Sequence, residues 1–139
     1  MDAKEYLLQL RQLDNYIRQN QEMLDELRQT AARIDSVDYS KQRVKIGTPT
    51  RSPAEDTAIK LYEISHTLRK EIAEYADLKR LIVSQIRSLE SEAYSQVLYK
   101  RYVKYKPLDT IADEMGYSYA YMRHLHGWAL KEFGEKYLK

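Results

Sequence analysis

Side chains that could recognise a nucleic acid cluster in the last third of the chain, on one helical stretch that follows a turn. Arg123 carries a guanidinium group, which can donate two parallel hydrogen bonds to the O6 and N7 atoms of guanine. His124 can donate or accept a hydrogen bond, whereas Tyr119 or Ala120 can contact the methyl group of thymine. Their spacing places all four residues near the start of one helix, on its outer side. We therefore predict that Tyr119, Ala120, Arg123 and His124 contact DNA bases.

A second group of polar side chains suits the phosphate backbone of DNA. Lys100, Arg101, Lys104 and Lys106 form a basic cluster before the turn, and neutralising phosphates with such groups releases counterions. The hydroxyl of Ser118 can also contact a phosphate. Each cation taken singly is equally typical of an ordinary solvated helix face. We predict backbone contacts from these five residues.

Tyrosine is unusually frequent, with 13 Tyr against one Phe and one Trp. Its ring is large and apolar, and its hydroxyl can donate a hydrogen bond to a phosphate. Tyr119 is predicted to face DNA, Gly127 would allow a close backbone approach, and Trp128 suits either packing or a backbone contact. Most of the other tyrosines in this region are predicted to pack a small core: Tyr94, Tyr99, Tyr102, Tyr105 and Tyr121.

A helix-turn-helix is the element that would position these groups. Ile111, Ala112 and Met115 form the inner face of a first short helix. Gly116 can adopt the left-handed conformation that ends it, and Ser118 can cap the next helix. The second helix is apolar at spacings of three and four: Met122, Leu125, Ala129 and Phe133. This motif lays its second helix in the DNA major groove, although a purely structural helical corner shares part of the pattern.

Two long stretches upstream have apolar residues at helical spacing. The first is interrupted only by Asn20: Ala3, Tyr6, Leu10, Leu13, Ile17, Leu24, Leu27, Ala31 and Ile34. The second begins near Asp56 and repeats at a similar average spacing: Leu61, Ile64, Leu68, Ile72, Tyr75, Leu78, Ile82, Ile86 and Leu89. Because neither helix can bury its stripe alone, we predict an antiparallel, coiled-coil-like hairpin. A dimer formed through the same seam, with Asn20 helping to set its register, is the alternative.

The link between these helices, residues 38–53, is predicted to be a long loop because it contains Gly47 and Pro49. Ser52 and Pro53 predict the start of the second helix. Four basic residues of the loop could touch a phosphate backbone, although surface loops are often basic for solubility alone: Lys41, Arg43, Lys45 and Arg51.

A third helix is predicted from about Ser91 to Lys104, and Pro107 either ends it or starts the next one. The predicted fold class is therefore all-α. Residues 1–90 form the long N-terminal helical hairpin, and residues 91–139 form a small C-terminal three-helix bundle that contains the helix-turn-helix.

The composition of the 139 residues argues against several other functions. The absence of Cys excludes disulfides and thiolate metal sites, and no catalytic or phosphate-binding motif occurs. No apolar run has the length of a membrane span, and the charged N-terminus does not resemble a signal peptide. We predict no enzyme activity, cofactor, metal, small-molecule substrate or membrane contact, and a cytoplasmic location. The net charge of +2 is weak evidence about DNA.

The C-terminal motif residues resemble the helix-turn-helix of sigma-factor region four: Val97-Leu98, Arg101-Tyr102, Ile111-Ala112, Gly116-Tyr117-Ser118, Met122, Leu125 and Ala129-Leu130. In that family the module binds the promoter −35 element through its recognition helix. The resemblance implies that Tyr119, Ala120, Arg123 and His124 occupy base-contacting positions, of which only Arg123 keeps the family's usual basic character. The modules of a sigma factor that bind the −10 element have no counterpart here.

Nearly the whole chain resembles the ArpU and RinA groups of phage transcriptional regulators, most specifically at Tyr117-Ser118-Tyr119, Leu125-His126 and Ala129-Leu130. That resemblance implies a phage-type regulator of transcription that binds double-stranded DNA in a bacterial host cell. The hairpin would then mediate formation of a homodimer or contact with RNA polymerase. Two alternatives stay open at this point: a DNA-packaging adaptor similar to a small terminase subunit, and a helical protein-interaction module that does not bind DNA.

Overall fold

The computed structural model describes residues 1–35 and 52–139, and these form five α-helices. They are α1 (Ala3–Asp35), α2 (Pro53–Arg87), α3 (Glu92–Leu98), α4 (Leu108–Met115) and α5 (Tyr119–Tyr137). A π-helical turn, Tyr99–Val103, follows α3, and the described residues contain no strand. The all-α prediction is confirmed. The basic residues of the predicted loop lie outside the described residues.

The two long helices begin at side-chain caps that the sequence encodes locally. At the start of α1, the Glu5 N–H donates to the Asp2 carboxylate (2.8 Å), and the Asp2 N–H donates back to the Glu5 carboxylate (3.2 Å). At the start of α2, the Glu55 N–H donates to the Ser52 hydroxyl (3.2 Å), and Pro53 occupies the first helical position. The predicted start of α2 is confirmed. No helix within residues 1–35 and 52–139 is both long and apolar enough to cross a membrane.

The chain packs into two compact units. One, called here the head unit, comprises residues 1–15 and 73–139, and the other, the stalk unit, comprises residues 16–72. Each unit therefore contains part of α1 and part of α2. This division differs from the one at residue 90 that the sequence suggests, because the first turns of α1 and the last turns of α2 contact the three C-terminal helices.

The head unit has a continuous apolar core. The ring centroid of Tyr6 lies 5.8 Å from that of Phe133, and the Tyr6 hydroxyl donates to the Gln85 side chain (2.7 Å). These contacts join α1, α2 and α5. Leu7, which the heptad pattern does not include, is also fully buried in this core. The core residues come from all five helices and the π-helical turn, and the most buried among them are Leu10, Ile82, Ile86, Val97, Leu98, Ile111, Met122, Ala129 and Phe133.

The stalk unit has far fewer buried residues in its described part. Ile17, Leu24 and Leu68 are its buried apolar side chains. The Asn20 amide donates to both carboxylate oxygens of Glu71 at 3.0 and 2.9 Å, so the polar member of the seam is paired within the chain. Ile72, predicted to lie in the apolar stripe, is 44% exposed, and that prediction is wrong. A step of four residues from Leu68 rotates its side chain by about 40° beyond a full turn, towards solvent.

The third helix is shorter than predicted. The Tyr94 N–H donates to the Ser91 hydroxyl (3.3 Å) at its start, but α3 ends at Leu98 rather than at Lys104. In the π-helical turn that follows, the Lys104 N–H donates to the carbonyl five residues back, that of Tyr99 (3.1 Å). Tyr102 and Val103 of this turn are both buried in the core.

The final two helices meet at a tight turn. Pro107 precedes the first residue of α4, and Gly116 ends this helix with φ 74° and ψ 29°. The Tyr117 N–H closes the turn by donating to the Ala112 carbonyl (2.9 Å), and the Ser118 hydroxyl then accepts from the Tyr121 N–H (3.1 Å) to cap α5. Gly116 and Ser118 thus have the conformations that the sequence predicted. α5 continues to Tyr137, one turn beyond Phe133, the last residue of its apolar pattern.

Candidate nucleic-acid interface

The two faces of α5 differ sharply in exposure. The inner face is formed by Met122, Leu125, Ala129 and Phe133, all of which are buried as predicted. The other side of the helix is exposed along its first three turns. Burial of the inner face therefore fixes which side chains α5 presents to solvent.

The four predicted base-contacting residues are all exposed on the N-terminal half of α5. Tyr119 is 53% exposed, and Ala120, Arg123 and His124 are exposed as well. Gly127 lies one turn further on, and a Cβ atom added there would meet no atom within 4 Å. The face between the long side chains is therefore open down to the helix backbone.

A cluster of exposed aromatic rings lies along the same helix, and we call it the aromatic ladder: Tyr117, Tyr121, His124 and Trp128. The ring centroids are 5.0 Å apart for Tyr117 and Tyr121, 6.0 Å for Tyr121 and Trp128, and 5.9 Å for His124 and Trp128. Tyr121 is 43% exposed, so the prediction that it packs in the core is wrong, and Trp128 is 47% exposed. The spacing of four, three and four residues is the sequence signal that identifies such a stripe.

The basic cluster before α4 is largely engaged within the protein. The Glu114 carboxylate accepts from the Lys100 ammonium (3.0 Å) and from the Lys106 ammonium, so one acid serves two lysines. Hydrogen bonds from Lys106 and Lys100 lower the pKa of Glu114. Arg101 donates to the carbonyl of Lys106 (3.1 Å), whereas Lys104 is exposed beside the ring of Tyr99. The sequence pattern did not reveal the pairing with Glu114.

The structure brings one predicted phosphate-contacting residue next to a predicted base-contacting residue. Tyr119 lines a shallow surface concavity together with Arg101, Pro107, Leu108 and Asp109. Ser118, at the start of α5, is exposed although its hydroxyl oxygen accepts the capping hydrogen bond. Arg101, Ser118 and the residues predicted to contact bases are thus all found around the N-terminal end of α5.

The two histidines of α5 face different environments. The Tyr102 hydroxyl lies 2.7 Å from the Nε2 atom of His126, and the two rings stack at 5.7 Å. Burial, assisted by the charges of Arg101 and Lys4, lowers the pKa of His126 to about 4. Burial also raises the pKa of Tyr102 to about 12. His126 is therefore neutral at pH 7 and joins α5 to the π-helical turn, whereas His124 is on the exposed side. Among the described residues, no three His, Asp or Glu side chains are grouped as a metal site would require.

In comparisons with known proteins, no family model, curated protein or solved structure matches the chain. The resemblances to sigma-factor region four and to phage regulators therefore stay predictions. The residues that carry them have two structural roles. Leu125 and Ala129 are buried, whereas Tyr117 and Tyr119 are exposed.

Proposed function

We propose that this protein binds duplex DNA in the major groove through α5, as a phage-type regulator of transcription. The observation that carries the proposal is the joint exposure of Tyr119, Ala120, Arg123 and His124 on a helix whose opposite face is buried. In this proposal α4 and α5 form a helix-turn-helix with α5 as the recognition helix. Nothing in the proposal requires catalysis or a cofactor.

The shape of α5 supports a close approach to base edges. A helix with its side chains is about 10–12 Å across, and the major groove of B-DNA is about 12 Å wide. Ala120 and Gly127 carry little or no side chain on the exposed face, so the helix can enter deeply. Arg123 is long enough to reach the O6 and N7 atoms of guanine beside it.

Phosphate contacts in this proposal come from Arg101, Lys104 and Ser118 first. Lys100 and Lys106 also lie in the cluster, but both of their ammonium groups form ion pairs with the Glu114 carboxylate. A phosphate must compete with that carboxylate for them. Electrostatic attraction to DNA is therefore weaker than four basic residues in the sequence suggest.

The stalk unit supports self-association, with α1 and α2 acting as an antiparallel hairpin. A single helix-turn-helix reads only a few base pairs, so useful specificity needs a second copy or another partner. Apolar side chains line a groove of about 390 Å³ between α1 and α2, among them Met23, Leu27 and Ile64. Lys60 and Glu63 at the same groove have opposite charges, which suits a second copy of the chain. Contact of this surface with RNA polymerase is the rival interpretation.

Selection of duplexes from a randomised library tests DNA recognition directly. We expect the wild-type protein to enrich one sequence. Arg123→Ala should weaken binding to it by roughly 1–3 kcal/mol and relax selectivity at one position. Arg69→Ala, which changes an exposed arginine of the stalk unit, is the matched control and should bind as wild type does. Failure to bind any duplex, even at low salt, would rule out the proposal and favour a protein-interaction module.

The number of copies in solution separates a regulator from a packaging adaptor. Sedimentation equilibrium of the full chain should show a dimer. Met23→Glu, which places a charge in the groove, should raise the dissociation constant of that dimer. A ring of many copies would instead favour the adaptor similar to a small terminase subunit.

A further inference from the structure

The tyrosine hydroxyls of the head unit fall into two groups. Those of Tyr6 and Tyr102 bond to other side chains, and those of Tyr75 and Tyr105 lie 3.2 Å from each other. By contrast, no residue of the described chain accepts a hydrogen bond from the Tyr121 hydroxyl or the Trp128 indole N–H. The aromatic ladder thus exposes large apolar rings together with unused hydrogen-bond donors. A contiguous patch of this kind marks a binding surface.

The aromatic ladder is ordered before any partner arrives. Trp128 contacts both the ring of Tyr121 and the ring of His124, so its side chain is held between them. Tyr121 is likewise held by Tyr117. Side chains already fixed by such contacts lose little rotamer freedom on binding, which favours affinity.

The position of the ladder on α5 indicates which part of the duplex it would meet. Arg123 and Trp128 are five residues apart, so they project about 140° apart around the helix axis. Ala120 and Gly127 lie between them on the exposed face. Arg123 and Trp128 thus lie on opposite flanks of this exposed strip. A helix that fills the major groove turns its flanks towards the walls of the groove, where the long, flexible Arg123 side chain can still reach a base edge and the Trp128 ring stays beside the wall. The walls are formed by the sugar–phosphate strands.

Resting on the proposed function, we propose that Tyr121 and Trp128 of the aromatic ladder bind one sugar–phosphate strand of the duplex whose bases Arg123 and His124 contact. The rings pack against deoxyribose, and the Tyr121 hydroxyl and Trp128 indole N–H donate hydrogen bonds to phosphate oxygens. These donors are neutral, so they release no counterions. They complement a basic cluster in which Glu114 already engages Lys100 and Lys106.

Trp128 provides its own probe, because it is the single Trp of the chain. On titration with the selected duplex, we expect its emission to be quenched or shifted. Tyr121→Phe and Trp128→Phe keep a ring and remove one donor, so each should weaken binding roughly three- to tenfold, the range of a single neutral hydrogen bond. The loss should be the same for every DNA sequence, and the dependence of affinity on salt should be unchanged.

Affinities for the Phe variants are measured by anisotropy of labelled duplex, and circular dichroism verifies that each variant keeps its helices. Tyr62→Phe is the matched control, because Tyr62 is 72% exposed in the stalk unit, and it should bind as wild type does. This inference would be overturned if both ladder variants bound the duplex with wild-type affinity and the duplex left the Trp128 emission of the wild-type protein unchanged. If Arg123→Ala still weakened binding in that case, the proposed function would remain intact. A change in sequence preference in the Tyr121 or Trp128 variant would also overturn it, since that side chain would then read bases. Absence of all duplex binding would overturn both.

Discussion

The head and stalk units contain parts of the same two long helices, yet they bury them to different extents. In the head unit, α3, α4 and α5 contribute to a core in which residues such as Leu7, Leu10 and Ile82 are fully buried. In the described part of the stalk unit, Ile17, Leu24 and Leu68 are buried, but Tyr16 and Met23 are about half exposed. A heptad-like pattern thus produces a closed core only where further helices cover it. In the proposed function, the head unit binds DNA and the stalk unit mediates self-association.

The largest expected effect is a loss of stability caused by a substitution in the core of the head unit. Phe133 is fully buried, and its ring lies 5.8 Å from that of Tyr6 and 5.1 Å from that of Tyr137. Phe133→Ala should therefore lower the free energy of unfolding by roughly 3–5 kcal/mol, measured by urea denaturation. Leu24→Ala in the stalk unit should cost about 2 kcal/mol, since few other buried side chains of the described part of that unit surround it. Equal losses would contradict the contrast between the units.

A smaller effect follows from His126, whose pKa lies at about 4 in the folded chain instead of 6.5. As pH falls below 6.5 the unfolded chain takes up this proton first, so folding stability declines until about pH 4 and this histidine causes no loss below it. One pKa unit corresponds to about 1.4 kcal/mol, so the difference between 6.5 and about 4 predicts a decline of roughly 3.5 kcal/mol. Thermal or urea unfolding across this pH range measures it.

Carboxylates titrate in the same pH range, so this test needs a matched pair of variants. His126→Gln removes the buried group and should flatten the decline, whereas His124→Gln changes the exposed histidine two positions away and should leave it as in wild type. If both variants show the wild-type pH dependence, the contact between His126 and Tyr102 does not control acid stability of the head unit.

The smallest expected effect concerns charge on the head unit. Glu114→Gln would release Lys100 and Lys106 for phosphates, because it removes the carboxylate charge that both contact. Duplex affinity should increase, and the salt slope should become steeper by about one to two, near 0.9 for each added phosphate contact. Asp113→Asn removes a neighbouring exposed acid, for which no ion pair occurs within the described ranges, and should change the slope less. An unchanged slope in Glu114→Gln would exclude Lys100 and Lys106 as phosphate contacts.

The caps show why much of the fold could be predicted. Ser52, Gly116 and Ser118 act on groups at most four residues away, so their effect can be read from the sequence directly. The end of α3 could not be predicted in this way. A π-helical turn replaces the end of the expected helix, and its residues Tyr102 and Val103 pack in a core that contains residues distant in the chain.

The candidate site shows the same limit. The inner face of α5 follows from its spacing, so the exposure of Arg123 opposite that face was predictable. The position of Tyr121 was predicted incorrectly, because a tyrosine at a helix start suits either a core or a surface. The spacing of the four aromatic residues is visible in the sequence, but only the structure shows that their rings contact one another.

By itself the sequence determined the helical class, most helix starts and the apolar faces, since backbone hydrogen bonds and caps in helices join residues within one turn. Tertiary structure alone decided which tyrosines are buried and which cations are paired. Tyr6 bonds to Gln85, and Lys100 pairs with Glu114, across 79 and 14 positions of the chain. Such contacts depend on how the helices pack against one another, and no local pattern encodes that packing.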